Sequence, residues 1–153
     1  MTDFDLITTC SFSGHREIEE NFNYNKLEEV INKLIEGGFK TFLVGMALGF
    51  DIEVMKILVK NKNKNIDIIA CIPCPEQSNY YSKKNKEEYD YLLKMADKKV
   101  VISENYTKWC MQKRNRYMVD NSSTLVAYLR REKSGTAYTV NYAKSKDKKL
   151  III

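Results

Sequence analysis

Three short loops of this chain carry the residue types that hold anions. "SGHRE" supplies Ser13, Gly14, His15 and Arg16 directly after an apolar run. The planar fork of arginine suits phosphate or carboxylate. His15 is either a donor to a phosphate, a face for a base, or a loop histidine satisfied by its neighbours. "GMALGFD" (45–51) brackets a turn with Gly45 and Gly49, holds Met46 and Ala47 between them, and ends on Asp51. "KSGT" (133–136) offers Ser134, Gly135 and Thr136 at the start of a helical pattern. A helix N-terminus presents unpaired N–H groups and a partial positive charge, and glycine lets a ligand oxygen reach them. Each loop also has a plain structural reading, since strand-to-helix turns use glycine for geometry and serine caps helices. None is a full G-x-G-x-x-G or a Walker loop.

"KRNRYMVDNSS" adds Arg114 and Arg116 near the start of another helix. Paired arginines on a helix ordinarily face solvent, but at this position one could reach a ligand. Tyr106 and Trp109 nearby could stack on a base; the expectation is that they cover the core.

Apolar runs and helical patterns alternate to position these loops. Strands are predicted at 5–10, 41–45, 66–73, 98–103, 124–129 and in the terminal "KKLIII". Between them, Leu27, Val30, Ile31, Leu34 and Ile35 fall at helical spacing before Gly37–Gly38. Asp51 is placed as the N-cap of a helix carrying Val54, Met55, Leu58 and Val59. Tyr89, Leu92, Leu93 and Ala96 mark a third helix, a fourth runs to about Asn121, and "TAYTVNYAKS" is the fifth. Six strands alternating with five helices predict an α/β, Rossmann-like three-layer sandwich with a mostly parallel six-stranded sheet. Ligands of such sheets bind outside the carboxyl ends of the strands, and all three glycine loops fall there.

With 153 residues, no linker and no low-complexity tract, the chain reads as a single domain over 1–153. No apolar run approaches the roughly 20 residues that span a bilayer, and the short acidic start is unlike a secretory signal, so a cytoplasmic protein without a membrane partner is expected. The net charge of +5 is mostly solvated lysine and constrains partners weakly. Cys10, Cys71, Cys74 and Cys110 contain one close pair, "CIPC", and the sole histidine is distant. They read as buried thiols, with no metal site and no cofactor other than a nucleotide ligand.

Taken in order, "SGHR", "VGMALGFD", "KRNRYMVDNSSTLVAYL" and "KSGTAYTVNYA" resemble the SLOG superfamily, named for proteins related to Smf/DprA and the LOG enzymes. The closest resemblance is to small stand-alone YpsA-like proteins, over nearly the whole chain. It implies a Rossmann-like fold whose strand-end loops bind a nucleotide or nucleotide-like ligand, with Gly14, Arg16, Gly45, Gly49, Asp51, Ser134, Gly135 and Thr136 as site residues and Arg114 and Arg116 behind them. The glutamates that follow the glycine-rich loop in LOG enzymes are absent: Gly135-Thr136 is followed by Ala137, Tyr138 and Thr139. "KSG" also departs from the "PGG" opening of that loop.

Three functions follow. A nucleotide-binding sensor or regulator ranks first. A hydrolase of nucleoside-monophosphate N-glycosidic bonds ranks second and would need a substitute carboxylate, Glu17 or Glu104. A single-stranded nucleic-acid binder using Arg114, Arg116 and the lysines at 83–86 ranks third. A homo-oligomer is expected, as is common for small α/β proteins.

Overall fold

The computed structural model describes residues 4–153. Near its start the Asp5 side chain accepts the Ile7 N–H at 3.0 Å and caps a single 3-10 turn, Leu6–Thr8. This corrects the first predicted strand: β1 is Thr9–Gly14 rather than 5–10. The cause is local, because a short polar side chain competes for backbone donors in a turn conformation, and the Thr9 hydroxyl adds a 2.6 Å bond to the Asp5 carbonyl. The shift makes Ser13 and Gly14 the end of the strand itself.

The other elements follow the predicted alternation. Helix α1 (Tyr24–Glu36) is capped by Asn23, whose side chain accepts the Lys26 N–H, and its chain turns out at Gly38 with φ +99°. Then come β2 (Thr41–Val44), α2 (Phe50–Lys60), β3 (Asp67–Ile72) and α3 (Lys83–Met95). They are followed by β4 (Lys98–Val101), α4 (Cys110–Asp120), β5 (Thr124–Tyr128), α5 (Gly135–Ser145) and β6 (Lys149–Ile152). Lys83, Lys84 and Lys86, expected on a loop, lie in the first turn of α3.

All six strands are parallel, in the order β4-β3-β2-β1-β5-β6. The chain starts in the middle of the sheet, builds outward to β4, and returns through α4 to lay β5 on the other side of β1. Strand order therefore reverses between β1 and β5, where open α/β sheets form their ligand crevice. Successive side chains point to opposite faces. Phe12, Phe42, Val44, Ile68, Ile72, Val126 and Tyr128 pack under α1, α2 and α3. On the other face, Leu43, Ile69 and Cys71 meet Met118 of α4, while Leu125 and Ala127 meet Val119, Val140 and Ala143. This is an α/β Rossmann-like sandwich. All four cysteines are buried free thiols. Among the described residues no helix is long and apolar enough to cross a membrane.

Candidate functional site

A cleft of about 510 Å³ opens over the carboxyl ends of β1 and β5. It brings together Ser13, Gly14, His15, Arg16 and Glu17 from the end of β1, Ala47 and Asp51 from the turn after β2, Arg114 from α4, and Ser134, Gly135 and Thr136 from the start of α5. Gly45, Met46, Gly49, Arg116 and Glu104 do not line it. Met46 is fully buried in the core despite φ +63°. Arg116 instead lies in the electrostatic neighbourhood of Tyr142 on α5.

The glycines of the first two loops are bare because the protein itself fills the space. A Cβ on Gly14 would overlap the ring of Phe50. One on Gly45 would come within 2.7 Å of Arg114 Nη1 and 3.0 Å of Asp51 Oδ2. One on Gly49 would run into the Arg16 carbonyl, and Gly49 also holds φ +82°. Beside it, the Phe50 N–H donates to the His15 carbonyl at 3.1 Å. The SGHR and GMALGFD loops are thus clasped to one another by backbone approach. Gly135 differs: nothing lies within 4 Å of where its Cβ would be.

Asp51 is not the helix cap the sequence suggested. Gly49 occupies the N-cap of α2 without a side-chain bond, and Asp51 sits inside the first turn. Its carboxylate reaches back instead, Oδ2 accepting the Ala47 N–H at 3.1 Å and so closing the turn. Asp51 is 6% exposed, and its Oδ1 is buried with no hydrogen-bond partner. Burial pushes the carboxyl up to about 6, opposed by Arg114, the Ala47 N–H and Arg16. Arg114, buried beside it, gives Nη1 to the carbonyls of Gly45 and Cys71 and Nε to Asn115 Oδ1 at 2.7 Å. A buried guanidinium held on one loop carbonyl and one strand carbonyl ties α4 to the ends of β2 and β3, which is a structural duty.

His15 is 4% exposed and edge-on to Tyr128, with ring centroids 5.5 Å apart. Its Nε2 accepts the backbone N–H of Arg130 at 2.8 Å. Burial, with the charges of Arg131 and Arg130, holds its pKa below the usual histidine value. A neutral imidazole that accepts at Nε2 carries its proton on Nδ1. That Nδ1 lies 3.4 Å from Arg131 Nη2, also a donor. Two donors therefore face each other beside the cleft.

Helix α5 completes the floor. Ser134 Oγ accepts the Ala137 N–H at 3.1 Å and donates to the Arg131 carbonyl at 2.9 Å, fixing the arginine loop to the helix start. Within the first turn, the amides of Gly135 and Thr136 have no intrahelical acceptor. Around the cleft, five basic side chains (Arg16, Lys108, Arg114, Arg131, Lys133) face two acidic ones (Glu17, Asp51), so its field favours anions.

Sequence reasoning did not anticipate Lys108, Met111, Gln112, Asn115, Arg131 and Lys133 in the lining. The "RRE" one residue beyond β5, on the same sheet edge as the other loops, was the available signal for Arg131. Arg16 Nη2 leans across to the Met111 thioether at 3.3 Å, a weak acceptor. Tyr106 and Trp109 are 65% and 56% exposed, so they do not cover the core as expected. Tyr106 lines the cleft, and Lys108 Nζ sits 5.0 Å from the Trp109 ring.

Comparison with known proteins agrees with this architecture. The family YpsA, described as the YspA SLOG family, matches residues 12–151. The uncharacterized SPbeta prophage-derived protein YoqJ of Bacillus subtilis (strain 168) is 34% identical, with 78% of this chain and 79% of that protein covered. DNA processing protein A (DprA) from Streptococcus pneumoniae superimposes with a TM-score of 0.70 at 19% identity. That match covers 95% of this chain but 50% of DprA. The Helicobacter pylori DprA, solved for its single-stranded DNA binding mode, gives a TM-score of 0.69 at 18% identity over 94% of this chain and 64% of that one. At these identities the DprA structures speak for the fold, and this chain spans only part of their length. The match to nearly the whole chain and the relationship to YoqJ place the protein in the YpsA-like SLOG family.

Proposed function

We propose that the cleft binds a nucleotide or nucleotide-derived ligand through its phosphate, as a sensor or regulatory module. The observation that carries this reading is the convergence of donors without acceptors: His15 Nδ1, the Arg131 guanidinium and the first amides of α5 around one basic cleft. Hydrolysis of an N-glycosidic bond needs a carboxylate near the anomeric carbon. Of the two acids considered for that role, Glu17 lines the cleft and Glu104 does not. The turn that would carry such acids in α5 holds Ala137, Tyr138 and Thr139. Binding is therefore the better reading. Thermal shift and calorimetry against a nucleotide panel test it: Arg16→Ala is expected to weaken the best ligand about 10- to 150-fold, the scale of a charge-assisted hydrogen bond. A panel in which no nucleotide binds would overturn the reading.

A second reading is favoured by the exposed Tyr106 and Trp109 beside Lys108. Aromatic faces among cations suit the bases and backbone of single-stranded nucleic acid. Steeply salt-dependent binding of oligonucleotides, reduced in Trp109→Ala, is its expected signature. Assembly into a homo-oligomer belongs to the same proposal and is checked by light scattering.

A further inference from the structure

Asp51 carries an acceptor that the protein leaves unused. Its Oδ2 is committed to Ala47, whereas Oδ1 has no partner although the side chain is 6% exposed and lines the cleft. A buried carboxylate oxygen without a donor is costly to keep. Nor does the neighbouring arginine relieve it: the bonds Arg114 makes are to Gly45, Cys71 and Asn115. What is missing at Oδ1 is a donor; Asp51 borders the cleft, and because Oδ1 itself is closed to solvent, a hydroxyl entering from the cleft reaches it with a small local shift.

Position narrows the kind of donor. The anion-holding groups lie after β5 and β1, while Asp51 follows β2, the strand on the far side of β1. With adjacent strands about 4.8 Å apart, the two ends of the cleft are roughly 10 Å apart before side chains reach inward. A 5′-phosphate and its furanose ring bridge such a gap, and the ring arrives bearing hydroxyl donors. Nucleotide-binding sheets of this class also use an acid after the second strand to hold ribose hydroxyls.

We propose that Asp51 Oδ1 accepts a hydrogen bond from a ribose hydroxyl, so that the cleft selects ribonucleotides over their deoxy counterparts. This rests on the nucleotide reading above. A phosphate arm alone would not discriminate the sugar; this acceptor does.

The selection carries its own pH signature. The groups around Asp51 are Arg16 from the loop after β1, Cys71 of β3, Tyr81 from the loop before α3, and Arg114 of α4. Burial pushes Cys71 up to about 12 and raises Tyr81. Of this set, Asp51 alone titrates near pH 6. Ionised, it accepts the hydroxyl; protonated, it loses that acceptor strength.

Calorimetry with the four ribonucleoside 5′-monophosphates and their 2′-deoxy and 3′-deoxy counterparts provides the test. The ratio of affinities cancels titration of the shared phosphate and of His15. At pH 7.5, removal of one of the two hydroxyls is expected to weaken binding at least about 10-fold, the scale of a hydrogen bond to a charged group. The ratio is expected to fall toward 1 at pH 5, and to be near 1 at both pH values in Asp51→Ala. The wild-type pH dependence decides the matter even where that variant does not fold. Equal binding of ribo and deoxy ligands at pH 7.5 overturns the ribose assignment while leaving nucleotide binding intact. A preference that survives in folded Asp51→Ala overturns it as well. No binding by any of the nucleotides overturns both readings together.

Discussion

The loops after β1 and β2 and the loop before α5 share a composition of small residues and glycine, yet the fold uses them in opposite ways. In the first pair, Gly14, Gly45 and Gly49 are occupied against Phe50, Arg114 and the Arg16 backbone. At the start of α5, Gly135 faces open space. Bare backbone in one region lets the protein close on itself, and in the other it leaves amides for something else. A glycine-rich loop thus marks a close approach without saying what approaches.

Substitutions sharpen this contrast, beginning with the closed side. Arg114→Met would leave Asp51 buried without its cation and the carbonyls of Gly45 and Cys71 without their donor; a loss of about 3–5 kcal/mol in urea unfolding is expected. Gly49→Ala forces a side chain into the Arg16 carbonyl at a positive φ, and should cost about 2–4 kcal/mol. Near-native stability of that variant would break the comparison.

His15→Gln keeps an acceptor within reach of Arg130 and should cost about 1 kcal/mol at pH 7.5. Its more telling effect is on pH dependence. His15 has a folded pKa below its unfolded value, so its contribution is present above about pH 6.5 and lost as pH falls below that. Thermal melts of the wild type should therefore decline more than those of His15→Gln on acidification through that window. Asp51 acts in the opposite sense: its pKa is raised, so the cost of burying its charge is relieved as pH falls from about 6 toward its unfolded value. The smallest effect is expected on the open side, where Gly135→Ala should change stability by less than about 1 kcal/mol and in the favourable direction, because alanine suits a helix better.

Much of this was legible because apolar periodicity is a local signal. The spacing of Leu27, Val30, Ile31 and Leu34 marks α1, and the alternating faces of Phe42, Leu43 and Val44 suit a covered strand. The first strand slipped because one aspartate, Asp5, makes a turn of residues that read as apolar. The three loops singled out in the sequence converge on one cleft, but the sequence could not say which glycine touches protein and which touches space, since those contacts come from residues far along the chain. Arg114 meets Gly45 across 69 positions. The cap assigned to Asp51 failed for a related reason, its carboxylate turning back to Ala47 rather than forward along the helix.

The bond from the Arg130 amide to His15 joins residues 115 positions apart, and β1 finds its second neighbour only in β5. During synthesis, the first four strands can therefore leave the ribosome and pair while the cleft does not yet exist. The cleft is completed late, once β5 and the start of α5 are in place. A partly made chain of this kind has no cleft to offer, so under the nucleotide reading proposed above, a nucleotide added during refolding should speed nothing before β5 docks.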